Sequence, residues 1–185
     1  TSLDSARLLV YAFDSTGAIR SIEKLSQPAA ALAWSPAGLW LAGDDGYVEL
    51  RRAEPGLPLE KSFANADRRP TALYWDGAHL WLADRRTETV YQYSVGGALS
   101  AVRQFTVPGM TISAMRVEEG ELWALDAERK RLMRYELKTL AHPRASAGLD
   151  ALQGAAPAAF AVSGETLWLL TTKPAALRQV RLDEL

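Results

Sequence analysis

Two histidines and no cysteine bound the chemistry open to this chain of 185 residues. His79 sits in DGAHLW and His142 in TLAHPR. A metal or nucleophilic site needs several donors converging on one point, and neither histidine has such neighbours in sequence. Both read as turn residues, so no catalytic residue, metal ligand or cofactor is assigned. Without cysteine there is no disulfide, thiolate ligand or thiol nucleophile. The cations are more suggestive. They come in pairs, Arg68-Arg69, Arg85-Arg86 and Arg129-Lys130, and the last two pairs closely follow an acid, Asp84 or Asp126. Arginine forks take carboxylate or phosphate in bidentate fashion, so such pairs gathered on one surface would bind an acidic peptide, glycan or domain. The competing reading is a solvated rim of mixed charge, in which Asp84 and Asp126 cap their own turns through backbone N–H groups.

Composition narrows the field further. Twenty-one basic residues against 22 acidic ones give a net charge of -1. That balance supplies no overall attraction to nucleic acid or to an anionic membrane. With 48% hydrophobic and 23% charged residues the chain is of ordinary globular type. No apolar run approaches the roughly 20 residues that cross a bilayer as a helix, so no membrane insertion is expected. The first residue is threonine, which points to a removed leader or a cut chain.

The elements that must carry these side chains are announced by a repeat. Four segments share one pattern: ALAWSPAGLWLAGDDG, ALYWDGAHLWLADRRT, AMRVEEGELWALDAER and AFAVSGETLWLLTTKP. Their Leu-Trp pairs end at Trp40, Trp81, Trp123 and Trp168, spaced 41, 42 and 45 residues apart. About ten residues after each tryptophan a third apolar-polar alternation begins, and a fourth follows in the first three repeats. Each repeat therefore reads as about four short strands with turns between them. Such units of 40 to 45 residues are the signature of a β-propeller, because one sheet buries both faces only when it is stacked between others.

Aligned columns place the core. Leu32, Leu73, Met115 and Phe160 fall eight residues before the tryptophans, and Trp34, Trp75, Val117 and Val162 six before. All six tryptophans fall in columns expected to be buried, which argues against a stacking surface for sugars or bases. The first-strand column of opposite parity holds Ala33, Tyr74, Arg116 and Ala161, and is read as facing the axis. Tyr74 and Arg116 are its unusual members. They either meet a small anion there or plug the channel.

The run LWLADRRTETVYQYSVGGAL resembles repeats of the NHL, YVTN and streptogramin-lyase-like propellers, which read Leu-Trp-Val-Ala-Asp, a variable turn, an alternation and a glycine turn. Asp84 and Asp126 match the Asp position, whereas Gly43 and Thr171 depart from it. The resemblance spans about residues 8–185. It implies an all-β propeller of four-stranded antiparallel blades. One domain over 1–185 is expected, with a partial blade at 8–25 and repeats at about 29–69, 70–111, 112–156 and 157–185. LLVYAFDSTGAI aligns with VYQYSVGGAL, Val10 over Val90 and Phe13 over Tyr93. The expected closure has four blades, with the N-terminal strand at 22–25 completing the last one; the alternative is a fragment of a larger propeller.

In such a fold the loops after strands two and four share one face. They collect Asp44, Asp45, Asp67, Arg68, Arg69, Asp84, Arg85, Arg86, Asp126, Glu128, Arg129, Lys130 and Lys173. The expected function is binding without catalysis, to a protein or polymer, with no nucleic acid. The chain would be a monomer or an edge-mediated homodimer. Arg-rich and Ala-rich usage and the often exported YVTN-type repeats point to a bacterial, periplasmic or extracellular protein. The resemblance also leaves open an enzyme of lyase or cyclotransferase type with its site at the axis, and a structural fragment that assembles.

Overall fold

The computed structural model describes residues 2–3, 8–14, 16, 18–44, 46–65, 68–138, 143–149, 155–172 and 174–182. His142, Asp45, Asp67 and Lys173 lie outside the described residues. The described residues are almost entirely strand and turn, in eighteen strands. They fall into two compact units, Thr1–Thr106 and Val107–Leu185.

The first unit holds three sheets. An N-terminal sheet has β1 (Ser2–Leu3), β2 (Leu9–Phe13) and β3 (Ile19–Lys24) in that order. Repeat one folds as β4 (Ala31–Ser35), β5 (Gly38–Ala42), β6 (Tyr47–Arg51) and β7 (Leu59–Ala64). Repeat two gives β8 (Pro70–Trp75), β9 (Leu80–Asp84), β10 (Thr89–Val95) and β11 (Leu99–Thr106). The second unit holds repeat three as β12 (Ala114–Glu118), β13 (Glu121–Asp126), β14 (Arg131–Glu136) and β15 (Pro143–Gly148). Repeat four gives β16 (Pro157–Ser163), β17 (Thr166–Thr172) and β18 (Ala175–Arg181). Every sheet is an antiparallel meander in chain order. Each of the four repeats is thus one propeller blade. The N-terminal stretch 22–25, expected to complete the last blade, contributes to β3, which pairs with β2 in a sheet of its own.

One irregularity marks the repeat more sharply than any residue. The register between third and fourth strands slips by a bulge at Leu50/Arg51, Gln92/Tyr93 and Arg134/Tyr135. The same slip occurs at Ala12/Phe13 between β2 and β3. β2 is therefore a third strand and β3 a fourth, as the alignment of Val10 with Val90 predicts. A bulge bends and twists its strand, and its recurrence gives each blade the same bend. In repeat one Gly38 allows this: at φ 139° it is in a region closed to most L-residues, and a Cβ there would run into the carbonyl of Arg51.

Blades pack face to face within each unit. In the first, Trp40, Ala42, Val48 and Leu50 of one blade lie with Leu73, Leu80, Leu82, Tyr91 and Tyr93 of the next. Trp40 stacks on Phe63 at 6.0 Å and on Trp75 at 6.3 Å between centroids. The far face of that first blade, Leu39 and Leu41, meets Val10 and Leu25 of the N-terminal region. In the second unit Leu125 and Leu132 pack with Val162, Leu167 and Leu169.

The tryptophan columns need a correction. Trp40 and Trp81 are buried as expected, and Trp75 and Trp123 are partly covered. Trp34 is 55% exposed and Trp168 36% exposed. Trp34 borders a cleft shared with Val10, Ala12 and Ser21 of the N-terminal sheet. Trp168 belongs to the last sheet of its unit, and its face has no following sheet there.

Candidate functional site

The loop face of the first unit is built, among the described residues, from 43, 44, 46, 65, 68, 69 and 84–88. Hydrogen bonds tie them into one surface. Asn65 N donates to the Gly46 carbonyl at 2.7 Å, and Arg85 N to the Arg69 carbonyl at 3.0 Å. The Arg69 guanidinium donates to the Asp44 carbonyl.

Asp84 organises this surface from below. Its side chain is fully buried at the end of β9. It accepts from Arg69 N at 2.9 Å, from Arg86 N at 3.0 Å and from the Thr87 hydroxyl at 2.9 Å. One carboxylate thus holds both the entry to β8 and the turn at 85–88. Repeat three uses the same position in the same way. Asp126 is fully buried and accepts from Arg129 N at 3.0 Å, Thr111 N at 3.4 Å, the Arg129 guanidinium at 3.1 Å and the Arg131 guanidinium at 3.4 Å. Burial raises the proton affinity of Asp126, but the donors around it outweigh burial and hold its carboxyl below the ordinary value. Where the repeat pattern departs from Asp, Thr171 donates instead to the Pro174 carbonyl at 2.7 Å.

The cations have separate fates. Arg68 is half-buried. Its guanidinium lies 3.9 Å from the centroid of the Tyr91 ring, donates to the Tyr91 hydroxyl and stands 3.7 Å from Asp84. Among the described residues its buried Nε has no hydrogen-bond partner, nor does Nδ2 of Asn65. Tyr93, below them, accepts no proton loss easily, because burial raises its pKa. Arg69, Arg85 and Arg86 are exposed. In the second unit Arg129 is exposed beside Asp126, while Lys130 takes a positive φ of 49° and its carbonyl accepts from Leu149 N at 2.8 Å.

Tyr74 and Arg116, the two residues read from sequence as facing the axis, belong to different units, and each is described within its own sheet. Tyr74 pairs across to Trp81, and Arg116 to Trp123. Side chains leave a strand perpendicular to its sheet, so each stands on a blade face beside a repeat tryptophan. Arg116 is engaged by Glu118 at 2.8 Å. His79 lies 3.5 Å from Asp76. Asp76 also accepts from the Trp81 indole N–H at 2.7 Å and from the backbone of Ala78 and His79 at 2.8 and 2.7 Å. Burial opposes, and these donors prevail in lowering, its pKa. Among the described residues no three of His, Asp and Glu gather as a metal site would require.

Sequence reasoning missed the indole acceptors. The residue five before each repeat tryptophan is Ser35, Asp76, Glu118 or Ser163, a polar residue every time. Ser35 accepts from Trp40 at 3.1 Å, as Asp76 does from Trp81. It also missed a cleft of about 360 Å³ beside exposed Trp34, lined among others by Arg20, Glu23 and Glu54.

The class of protein is now defined: an all-β propeller built of antiparallel blades. Solved structures with this fold include the glutaminyl cyclase of Myxococcus xanthus, at a TM-score of 0.68 and 13% identity, covering 89% of this chain and 76% of that one. A catalytically inactive virginiamycin B lyase from Staphylococcus aureus, solved with quinupristin, matches at 0.60 and 15%, covering 89% and 56%. BamB from Moraxella catarrhalis matches at 0.54 and 12%, covering 91% and 51%. This chain spans about half the length of the last two. No family model matches the sequence, and no curated protein matches it. The likeness is one of fold, shared by proteins of mixed function.

Proposed function

We propose that this propeller binds an acidic segment of a protein or polymer through its arginine-bearing loop face, without catalysis. The observation that carries the reading is the burial of Asp84. Asp84 is consumed by backbone amides and the Thr87 hydroxyl, while Arg85 and Arg86 of the same turn, and Arg69 beside them, reach solvent. Sequence alone sees acids interleaved with bases here. Burial removes one of those acids from the surface, so the local display is more cationic than the net charge of the chain. Asp44 and Glu88 remain exposed on it, which favours a ligand with spaced carboxylates over a dense polyanion. Two buried donors with no acceptor among the described residues, Arg68 Nε and Asn65 Nδ2, add hydrogen-bonding capacity suited to an acceptor.

Titration with a fluorescent peptide of alternating glutamate and serine tests the reading. The wild type should bind in a salt-dependent way. The triple variant Arg69→Glu, Arg85→Glu, Arg86→Glu should lose about 10-fold or more in affinity with an unchanged circular dichroism spectrum. Equal binding by the two proteins overturns the proposal.

A further inference from the structure

The cleft beside Trp34 follows from a departure within the repeat. In three blades a third-strand residue stands opposite the repeat tryptophan: Leu50 to Trp40, Gln92 to Trp81 and Arg134 to Trp123. The shared bulge equates these residues with Ala12 of β2. Ala12 lacks their bulk, and a cleft of about 360 Å³ opens beside it, walled by Val10, Leu39 and Leu57 as well as the exposed Trp34 indole. A largely apolar concavity of this size is that of a small-molecule site. Every lining residue belongs to the first unit. The cleft borders the loop between β6 and β7, at the far end of β6 from the turn at 43–46. It is therefore separate from the arginine-bearing loop face.

The loop that closes one side is held in place. Leu57 takes a positive φ of 43° with its side chain buried, a strained conformation for a bulky residue that persists only where its surroundings enforce it. The Arg51 guanidinium donates to the Leu57 carbonyl at 3.0 Å. Gly56 N donates to the Glu23 carboxylate of β3 at 2.9 Å. Loop and sheet are thus fastened to each other across the cleft.

The charges around it are not matched alike. Glu23 is engaged by Gly56 N–H, and Glu54 stands 3.6 Å from Arg52. Arg20 is the extra residue of the bulge, since Ser21 pairs with Ala12 and Ile19 with Phe13. A bulge re-aims a side chain, and here Arg20 lines the cleft. Arg144 is the extra residue of the same bulge in repeat three, and its guanidinium donates to Glu121 at 3.0 Å. Among the described residues the Arg20 guanidinium has no such acceptor. We infer that this cleft binds a small arylalkanoate, its flat apolar ring against Trp34 and its single carboxylate on Arg20. The guanidinium fork takes a carboxylate in bidentate fashion, and the indole face takes an aromatic ring by offset stacking. Glu23 and Glu54 on the same cleft favour a ligand with one negative charge over a polyanion.

Calorimetric titration of the whole chain with 2-naphthylacetate tests this. Wild type should bind it saturably, with a Kd of about 1 mM or tighter. The amine 2-(2-naphthyl)ethylamine, which carries the opposite charge on the same ring, should bind about 10-fold more weakly or worse. Arg20→Gln should weaken binding of the acid by about 10-fold or more. Ala12→Leu, which supplies the side chain that repeat one has at this position, should fill the cleft and abolish binding. Arg20 is exposed, so Arg20→Gln should keep the wild-type circular dichroism spectrum. The triple variant Arg69→Glu, Arg85→Glu, Arg86→Glu should bind the acid as wild type does, because those arginines lie on other loops. Absence of saturable binding by wild type overturns the inference. So does equal binding of acid and amine, an Arg20→Gln variant or a folded Ala12→Leu variant that binds like wild type, or loss of binding in the triple variant.

Discussion

At the scale of single residues, the buried aspartates carry most of the structural meaning of the loop face. Each of Asp84 and Asp126 joins two chain segments fifteen residues apart, Arg69 to Asp84 and Thr111 to Asp126. Asp126→Ala strands these N–H donors and should cost about 2–3 kcal/mol in urea unfolding. Because the folded carboxyl titrates below its ordinary value, it adds stability above the unfolded pKa. That contribution is lost as pH falls through the folded value, below pH about 4. Asp126→Asn should therefore be less stable than wild type at pH 7, and its deficit should shrink as the two are compared at pH 3. An unchanged gap across that range would refute the linkage. In sequence this role was legible as one of two readings, since an Asp before a variable turn is a capping residue by type. Which acids remain on the surface was not legible, because it depends on whether the strand end sinks the side chain below the turn.

At the scale of the element, the blades were readable because their signal is periodic. A Leu-Trp pair at steady spacing, with alternation on either side, fixes second and third strands before any coordinates. The bulge left only a partial residue signature: an aromatic ring stands there at Phe13, Tyr93 and Tyr135, but Arg51 takes the position in repeat one. The fate of a tryptophan was also hidden, since burial is settled by what lies opposite. Trp81 is covered and stacks on Phe105 at 5.9 Å, while Trp34 looks onto a cleft. Trp81→Ala should accordingly cost about 3–5 kcal/mol in urea unfolding, and Trp34→Ala about 1 kcal/mol or less. Equal losses would show that the repeat position, and not the neighbouring sheet, sets the energetics. Alternation also tells only which residues share a side of a sheet, as Tyr74 does with its cross-strand partner Trp81 and Arg116 with Trp123, and not what lies opposite that side.

At the scale of the whole molecule, the chain forms two compact units, each with an apolar core of its own. Each unit also carries large apolar side chains in the open, Phe13 and Ile22 in the first and Leu170 and Leu177 in the second. Exposed positions hold little of the folding energy, so Phe13→Ser and Leu177→Ser should each change stability in urea unfolding by about 0.5 kcal/mol or less. A loss of about 2 kcal/mol or more would show that the side chain is covered in solution.

The way Asp84 is held has a use outside this protein's own biology. Because that carboxylate grips its turn through main-chain amides, the course of the chain at 85 does not depend on which side chain stands there. That position can be randomised, as in a display library, while the scaffold beneath stays as it is.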